Sequence, residues 1–335
     1  MRTISLLNSF QDSIIVQLNE EPLIFKDGNY ILLQLKNNGK IIVIDRTNKN
    51  IIEKSHELFR KNIIGLGYQA PNFLHIPISG CGKYETIIYS LNVQDTSYQL
   101  IRIKNLYGHS VQFYSLKNQF LALFNFSNEY FFIYDVITKK LIQNKTKLLP
   151  VFDINVTCQY LFPYAFLSFI NDSIISFHFV GQSTIYFMNK HYNYKLVSCI
   201  SNPNPAFKDA VLAFHYLPNP KKLNIFDITH FIGNYNYFST LNSFIQNNKK
   251  YYYQYVFIQS YDKDKHGISI ENILLTIWND NFQVLQNLKL NPKDYILIDN
   301  QGIVLKPYYN EANQKYVIYD CGNILDLVKN QSNTE

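Results

Sequence analysis

Cysteine is scarce, and its spacing serves no known purpose. Cys81, Cys158, Cys199 and Cys321 stand far apart without a CxxC pair, which speaks against a disulfide framework and a thiolate zinc site. That usage fits the cytoplasm or another reducing intracellular compartment. The eight histidines never fall in HxH or HExxH spacing, so no metal-ligand cluster is expected. No GxSxG elbow announces a nucleophile. Long apolar runs are also missing. The longest, residues 160–170, is broken by Pro163 and is too short to span a bilayer. Polar residues interrupt the amino-terminal segment, so no signal peptide is expected. Glycine numbers only 12, few for a turn-rich chain, and asparagine takes over many turn positions. Strong charge is absent too. A net charge of +6 over 335 residues is a weak field, which disfavours nucleic acid as the partner.

What is present is apolar and repetitive. A hydrophobic fraction of 47% with 16% aromatics supplies a large core and argues against disorder. Residues 41–52, IIVIDRTNKNII, align without a gap on residues 131–142, FFIYDVITKKLI. Each has alternating apolar residues, an Asp, a polar turn and more apolar residues. This is the pattern of a strand, a tight turn and a second strand. Similar cassettes occur at 86–103, 184–200, 223–228, 274–288 and 316–327. Their pivots are Asp45, Asp135, Asn189, Asp227, Asn279 and Asp320; Asn92 is nearest in the remaining cassette. The mean step is about 46 residues, within the period of propeller blades. Further apolar runs upstream supply the other two strands of a four-stranded unit. The expected fold is all-β: a single seven-bladed β-propeller over residues 1–330, with six blades as the alternative and 331–335 as a tail. Residues 3–7 or 12–18 are expected to complete the blade built from 294–328. Residues 55–64 are the best helix candidate, as a single turn.

Residues 108–141 resemble a WD40 repeat. Gly108-His109 stands where that family has its GH pair, and Tyr134-Asp135 where it has WD. Ile277-Trp278-Asn279 resembles the same strand ending. The other units lack GH, so the repeats are degenerate. The resemblance implies a protein-interaction role.

Other motifs are weighed against plainer readings. GLGYQA at 65–70 fits a dinucleotide loop, but a strand pattern follows it where a helix is needed. GCGK at 80–83 lacks the first glycine of a phosphate loop, and Tyr84 replaces the magnesium-binding hydroxyl. DKDKHG at 262–267 starts like a calcium loop, but Ile273 stands where the bidentate Glu belongs. NKKYYYQY at 248–255 suits a base-stacking platform, although core packing is the ordinary reading. The Asp and Asn pivots read as turn-makers, since Asn can accept the turn bond but cannot carry the charge.

These observations point to a non-catalytic protein-interaction scaffold within a larger complex. No cofactor, metal or small-molecule substrate is expected, and other proteins are the expected partners. Tyr235, Tyr237, Phe238, Lys139 and Lys140 are the expected contact residues. A central-channel enzyme or ligand binder, and nucleic-acid binding through Lys/Tyr-rich loops, are the alternatives.

Overall fold

The computed structural model describes residues 2–3, 12–69, 72–82, 85–104, 120–125, 130–135, 138, 140–144, 165–171, 173–179, 183–189, 191, 195–204, 236–262, 264, 267–290, 292 and 296–332. The chain divides into two compact units. One comprises Met1–Ser5, Phe126–Phe131 and Asn144–Tyr295; the other comprises Leu6–Asn125, Phe132–Gln143 and Ile296–Glu335.

Short strands β1 (Arg2–Thr3) and β2 (Asp12–Gln17) precede the first blade. That blade is an antiparallel meander of β3 (Leu23–Asp27), β4 (Tyr30–Leu35), β5 (Lys40–Asp45) and β6 (Asn50–Ser55). The second contains β7 (Asn62–Ile63), β8 (Gly67–Gln69), β9 (Phe73–Gly82), β10 (Glu85–Asn92) and β11 (Tyr98–Lys104). A three-stranded sheet follows: β12 (Phe120–Asn125), β13 (Tyr130–Asp135) and β14 (Lys140–Asn144). Next comes the meander of β15 (Ala165–Phe169), β16 (Ile174–Phe179), β17 (Thr184–Asn189) and β18 (Lys195–Ser201). The largest sheet holds β19 (Tyr237–Phe238), β20 (Asn242–Gln246), β21 (Lys249–Asp262), β22 (Gly267–Trp278) and β23 (Val284–Leu290), with β1 added in parallel to β23. The last blade is β24 (Leu297–Ile298), β25 (Ile303–Asn310), β26 (Lys315–Asn323) and then β2, followed by helix α1 (Ile324–Ser332).

The chain is all-β with the blade arrangement of a β-propeller. The blade count corrects the sequence-based expectation. Among the described residues, five sheets reach the four strands of a full blade, against the seven expected and the six held as the alternative. The sheet Phe120–Asn144 has three strands among the described residues. The expectation divided an uneven repeat by its mean period. The cassette at 223–228, on which seven depended, lies outside the described residues.

Elsewhere the cassettes are what they seemed. Residues 41–52, 86–103, 131–142, 184–200 and 274–288 each lie across the hairpin of a blade's last two strands. The cassette at 316–327 differs. Its first half is β26, but its second half coils into α1, and β2 supplies the fourth strand instead. Asp12 lies opposite Asp320, and Gln17 opposite Lys315. Residues 12–18 thus complete the last blade as expected, while Arg2–Thr3 pairs with Leu288 and Lys289. The expected turn at 55–64 is a 3-10 turn over Glu57–Arg60.

Middle strands explain the apolar runs. β4 is buried throughout, as are Ile41–Ile44 of β5, because both faces of these strands are covered. In the outer strand β6 only alternate residues are sheltered. Between the first two blades Leu32, Ile41 and Val43 meet Leu74, Ile76 and Tyr89, and Phe59 from the 3-10 turn plugs the end of this core. In the other unit Ile185 and Phe187 meet Leu241, Tyr252 and Trp278. Truncating one such side chain costs about 2–5 kcal/mol.

Candidate functional site

The middle strands carry rare polar exceptions to their apolar runs; two of these, Gln254 and Thr276, belong to a polar constellation in one unit, and a charged constellation stands in the other. Gln34, Thr86, Ser90, Ser176, Gln254 and Thr276 are all buried. Burying such a group is costly unless it finds a partner. Gln34 illustrates the rule: its Nε2 donates to the carbonyls of Phe59 and Lys61, each at 2.7 Å, tying the 3-10 turn to the blade.

The polar constellation joins the β15–β18 blade to the β19–β23 sheet. Gln254 on β21 is its hub. Its Nε2 donates to the Ser239 carbonyl at 2.9 Å and lies 3.1 Å from His178 Nε2. Its Oε1 accepts from Asn202 Nδ2 at 2.9 Å. Asn202 Oδ1 then accepts from Asn204 Nδ2 at 2.8 Å and from Thr276 Oγ1 at 3.3 Å. Asn287 closes the set, donating from Nδ2 to Asn204 Oδ1 at 3.2 Å. Gln254 donates to His178 Nε2, so the histidine acts as an acceptor there. Burial lowers the His178 pKa to about 4, against a smaller upward pull from the backbone at Ser239 and Phe238. His178 is therefore neutral at pH 7. Its reading as a buried strand histidine fits this environment.

The charged constellation joins the first blade to the last. Lys26 of β3 donates from Nζ to the Ile298 carbonyl beside it. Arg46, just past β5, donates to Asp299 Oδ2, and its other nitrogen reaches Asp320 Oδ2 at 3.3 Å. Asp299 is 1% exposed, so Arg46 is compensating a fully desolvated carboxylate. The other Asp299 oxygen accepts from the backbone of Gln301 at 2.9 Å and Ile303 at 2.8 Å. On the opposite side of β3, Asp27 Oδ2 accepts from the Tyr68 backbone at 2.5 Å. Burial lowers the Lys26 pKa to about 8, opposed by Asp27 and assisted by Arg46. Burial raises the Asp27 pKa to about 6, opposed by the Tyr68 hydrogen bond and by Lys26. Two neighbouring groups therefore titrate on either side of neutrality, a property concentrated at sites that exchange protons.

The repeat positions are turn-makers in the structure. Asp45 Oδ1 accepts from Thr47 N at 2.9 Å, and Asp320 Oδ1 from Gly322 N at 2.9 Å. Asn189 Oδ1 accepts from His191 N at 2.9 Å, and Asn279 Oδ1 from Asn281 N at 3.0 Å. Asp320 also belongs to the charged constellation, a second use that spacing alone does not show. Asp135 ends β13. Gly108, His109, Asp227, Tyr235 and Lys139 lie outside the described residues. Lys140 opens β14 instead of lying in a turn.

The expected contact residues need correction. Phe238 is 0% exposed and packs on Val256 and Leu274, so it is core. β19 pairs with β21, which turns Phe238 inward. Tyr237 is half-buried with its ring 5.7 Å from that of Phe257. The tyrosines of NKKYYYQY are packed as well, Tyr252, Tyr253 and Tyr255 each at most 5% exposed.

Exposed apolar side chains lie elsewhere, among them Leu23, Ile245, Ile270 and Tyr308 on first or middle strands and a larger set on the last strands of the blades. Tyr98 and Leu100 project from β11, Leu196 and Val197 from β18, and Val284 and Leu285 from β23. On β18 every residue from Lys195 to Cys199 is exposed, and Val197 sits at a register shift. Lys26, Asp27, Arg46 and Asp299 also escaped the sequence reading. The only local signal was charge at strand ends, KDG and DRT, and the partner of Arg46 is 253 positions away. Among the described residues no group of three or more His, Cys, Asp or Glu could hold a metal. Among them, too, no helix is long and apolar enough to cross a membrane.

No family model matches the chain, and no curated protein matches it. Solved structures do. A member of the DUF4221 family from Bacteroides vulgatus aligns with a TM-score of 0.61 at 10% identity, covering 93% of this chain and 96% of that one. A protein from Bacteroides fragilis aligns with a TM-score of 0.52 at 10% identity, covering 95% and 98%. The WD40 repeats of RRP9 align with a TM-score of 0.45 at 8% identity, covering 89% and 78%. At such identities the first two likenesses show a shared fold and nothing further.

Proposed function

We propose that the protein is a non-catalytic scaffold that docks other proteins on the outer strands of its blades. The supporting observation is β18, an edge strand among the described residues, on which Leu196 is 41% and Val197 52% exposed. Edge strands with exposed apolar side chains invite pairing, and proteins normally blunt or cover them. Lys195 and the register shift at Val197 blunt this one only in part. Covering it with a partner removes the remaining apolar surface from water. The WD40 resemblance of residues 108–141 supports the same role.

The test uses Leu196→Lys with Val197→Glu in the full chain. Gel filtration of a gentle cell extract should show wild-type protein in a complex well above 39.4 kDa. The double variant should elute alone, with an unchanged melting temperature. Wild-type protein eluting alone, or a variant that stays in the complex, overturns the assignment.

One observation favours a second reading, a small-ligand binder or enzyme: the Lys26 and Asp27 pair on the first strand of its blade. Arg46 and the Ile298 carbonyl already engage the surrounding groups, so the docking reading is preferred.

A further inference from the structure

A cavity of about 410 Å³ opens within the unit that contains the first and last blades. Its floor is apolar, made by Leu18 and Leu35, each 2% exposed. Its walls are carboxamides: Gln17 from the end of β2, Asn19 from the link between β2 and β3, Asn38 from the β4–β5 turn, and Gln314 from the β25–β26 turn. Lys40 and Ser55 complete it, from the start of β5 and the end of β6. The site lies at the β4–β5 turn end of the first blade, whereas the charged constellation lies at the other ends of these strands.

The walls are held in place. Leu18 N donates to the Gln314 carbonyl at 2.8 Å, and Gln17 Nε2 to the Asn313 carbonyl at 3.4 Å. Glu20 spends its carboxylate on the backbone of the opposite turn, accepting from Asn37 N at 3.1 and 3.2 Å. Asn38 Nδ2 donates to Asn19 Oδ1 at 3.0 Å and so links two walls. Gly39 keeps that turn at φ +61, where a Cβ would come within 3.1 Å of Arg60 and 3.2 Å of the His56 carbonyl. These bonds leave the Gln17 Oε1, Asn19 Nδ2 and Asn38 Oδ1 atoms over, beside the Gln314 amide and the Ser55 hydroxyl.

The lining selects by what it contains and what it omits. Carboxamides offer a donor and an acceptor side by side, the complement of neighbouring hydroxyls. Among the described residues no aromatic ring lines the cavity to stack a nucleobase, and no carboxylate lines it to pair with an ammonium group. Lys40 supplies one positive charge. Its partner Glu53 is half exposed, and such a surface pair is weak enough to be exchanged. The volume falls at the lower end of the range for small-molecule sites.

We propose that this cavity binds one acidic sugar residue, a uronate, with its hydroxyls on the carboxamides and its carboxylate on Lys40. The site is independent of the docking strands, so either assignment can fail alone. Ligand-observed saturation-transfer NMR on the full chain tests it. D-glucuronate carries hydroxyls and charge, D-glucose only the hydroxyls, and glutarate only the charge. At roughly 10 mM ligand, as a millimolar site requires, glucuronate should receive the strongest transfer. Lys40→Met should weaken glucuronate about tenfold, the loss of one charged hydrogen bond, and leave glucose unchanged. Ser55→Phe should fill the cavity and abolish both signals while the melting temperature holds. Glucose or glutarate receiving transfer as strong as glucuronate overturns the assignment. So does transfer that is absent from all three ligands or unchanged in the variants.

Discussion

Lys26 offers a measurable conflict between a charge and its surroundings. In the fold its pKa lies near 8 instead of 10.5, mainly through burial. A difference of that size means the charged form costs roughly 3 kcal/mol in the native state below pH 8. Lys26→Met keeps the aliphatic stem and removes the charge. It also removes the hydrogen bond to the Ile298 carbonyl, a loss of about 1–2 kcal/mol. A net gain on the order of 1–2 kcal/mol at pH 7 remains. The pH dependence follows from the direction of the shift. Between pH 8 and 10.5 the unfolded chain holds more protons at this site than the native protein. Wild-type stability therefore rises across that window, whereas the variant lacks the rise. The advantage of Met should shrink and then reverse by pH 10.5. Urea unfolding followed by circular dichroism at pH 7 and near pH 10 reads both quantities. A variant less stable than wild type at pH 7, or a difference that ignores pH, would refute the reasoning.

Asp27 should behave in the mirror sense. Its native pKa of about 6 lies above the ordinary 3.8, so its contribution is greatest below pH 3.8 and is lost as pH rises through 6. Asp27→Asn keeps an acceptor for the Tyr68 backbone and should raise the melting temperature at pH 7, with the benefit vanishing near pH 4. His178, held neutral with a pKa near 4, contributes stability that is lost as pH falls from 6.5 toward 4. His178→Gln should flatten that part of the pH–melting curve, even if the protein is weaker at pH 7. Phe238→Ala should cost about 3–5 kcal/mol as a core truncation, and chemical denaturation checks it. Deleting residues 1–17 strips β26 of its outer partner and should lower the melting temperature markedly; an unchanged melt would show that β2 contributes nothing.

The blades were legible because hairpin signals are local. An Asp or Asn at the end of an alternating run bonds to the backbone two residues on, and that geometry is written in four or five adjacent letters. The Asn247-Asn248 turn between β20 and β21 shows the same economy, with both residues at positive φ, at 51° and 59°. The number of blades was less legible, since it depends on unequal spacers. Helix α1 was misread because ILDL fits the expected second strand as well as a first helical turn, and the strand slot was already filled by β2. Neither constellation could be foreseen. Asn202 meets Gln254, and Arg46 meets Asp299, only after separate blades have packed. Phe238 looked like a contact residue because it lies in the irregular stretch 229–248 between regular cassettes, but only pairing with β21 decides which way a two-residue strand faces.

The last blade also sets a timetable. β2 leaves the ribosome some three hundred residues before its partner β26, with Asp12 waiting for Asp320. Until then Ile14 and Val16 have no neighbouring strand, and closing so long a loop carries an entropic cost that local hairpins do not face. Synthesis halted before Lys315 would leave a blade that cannot be finished and an apolar strand open to other chains. Such a fragment is a natural client for chaperones, and the same arrangement makes the completed blade a check that both distant segments have been made.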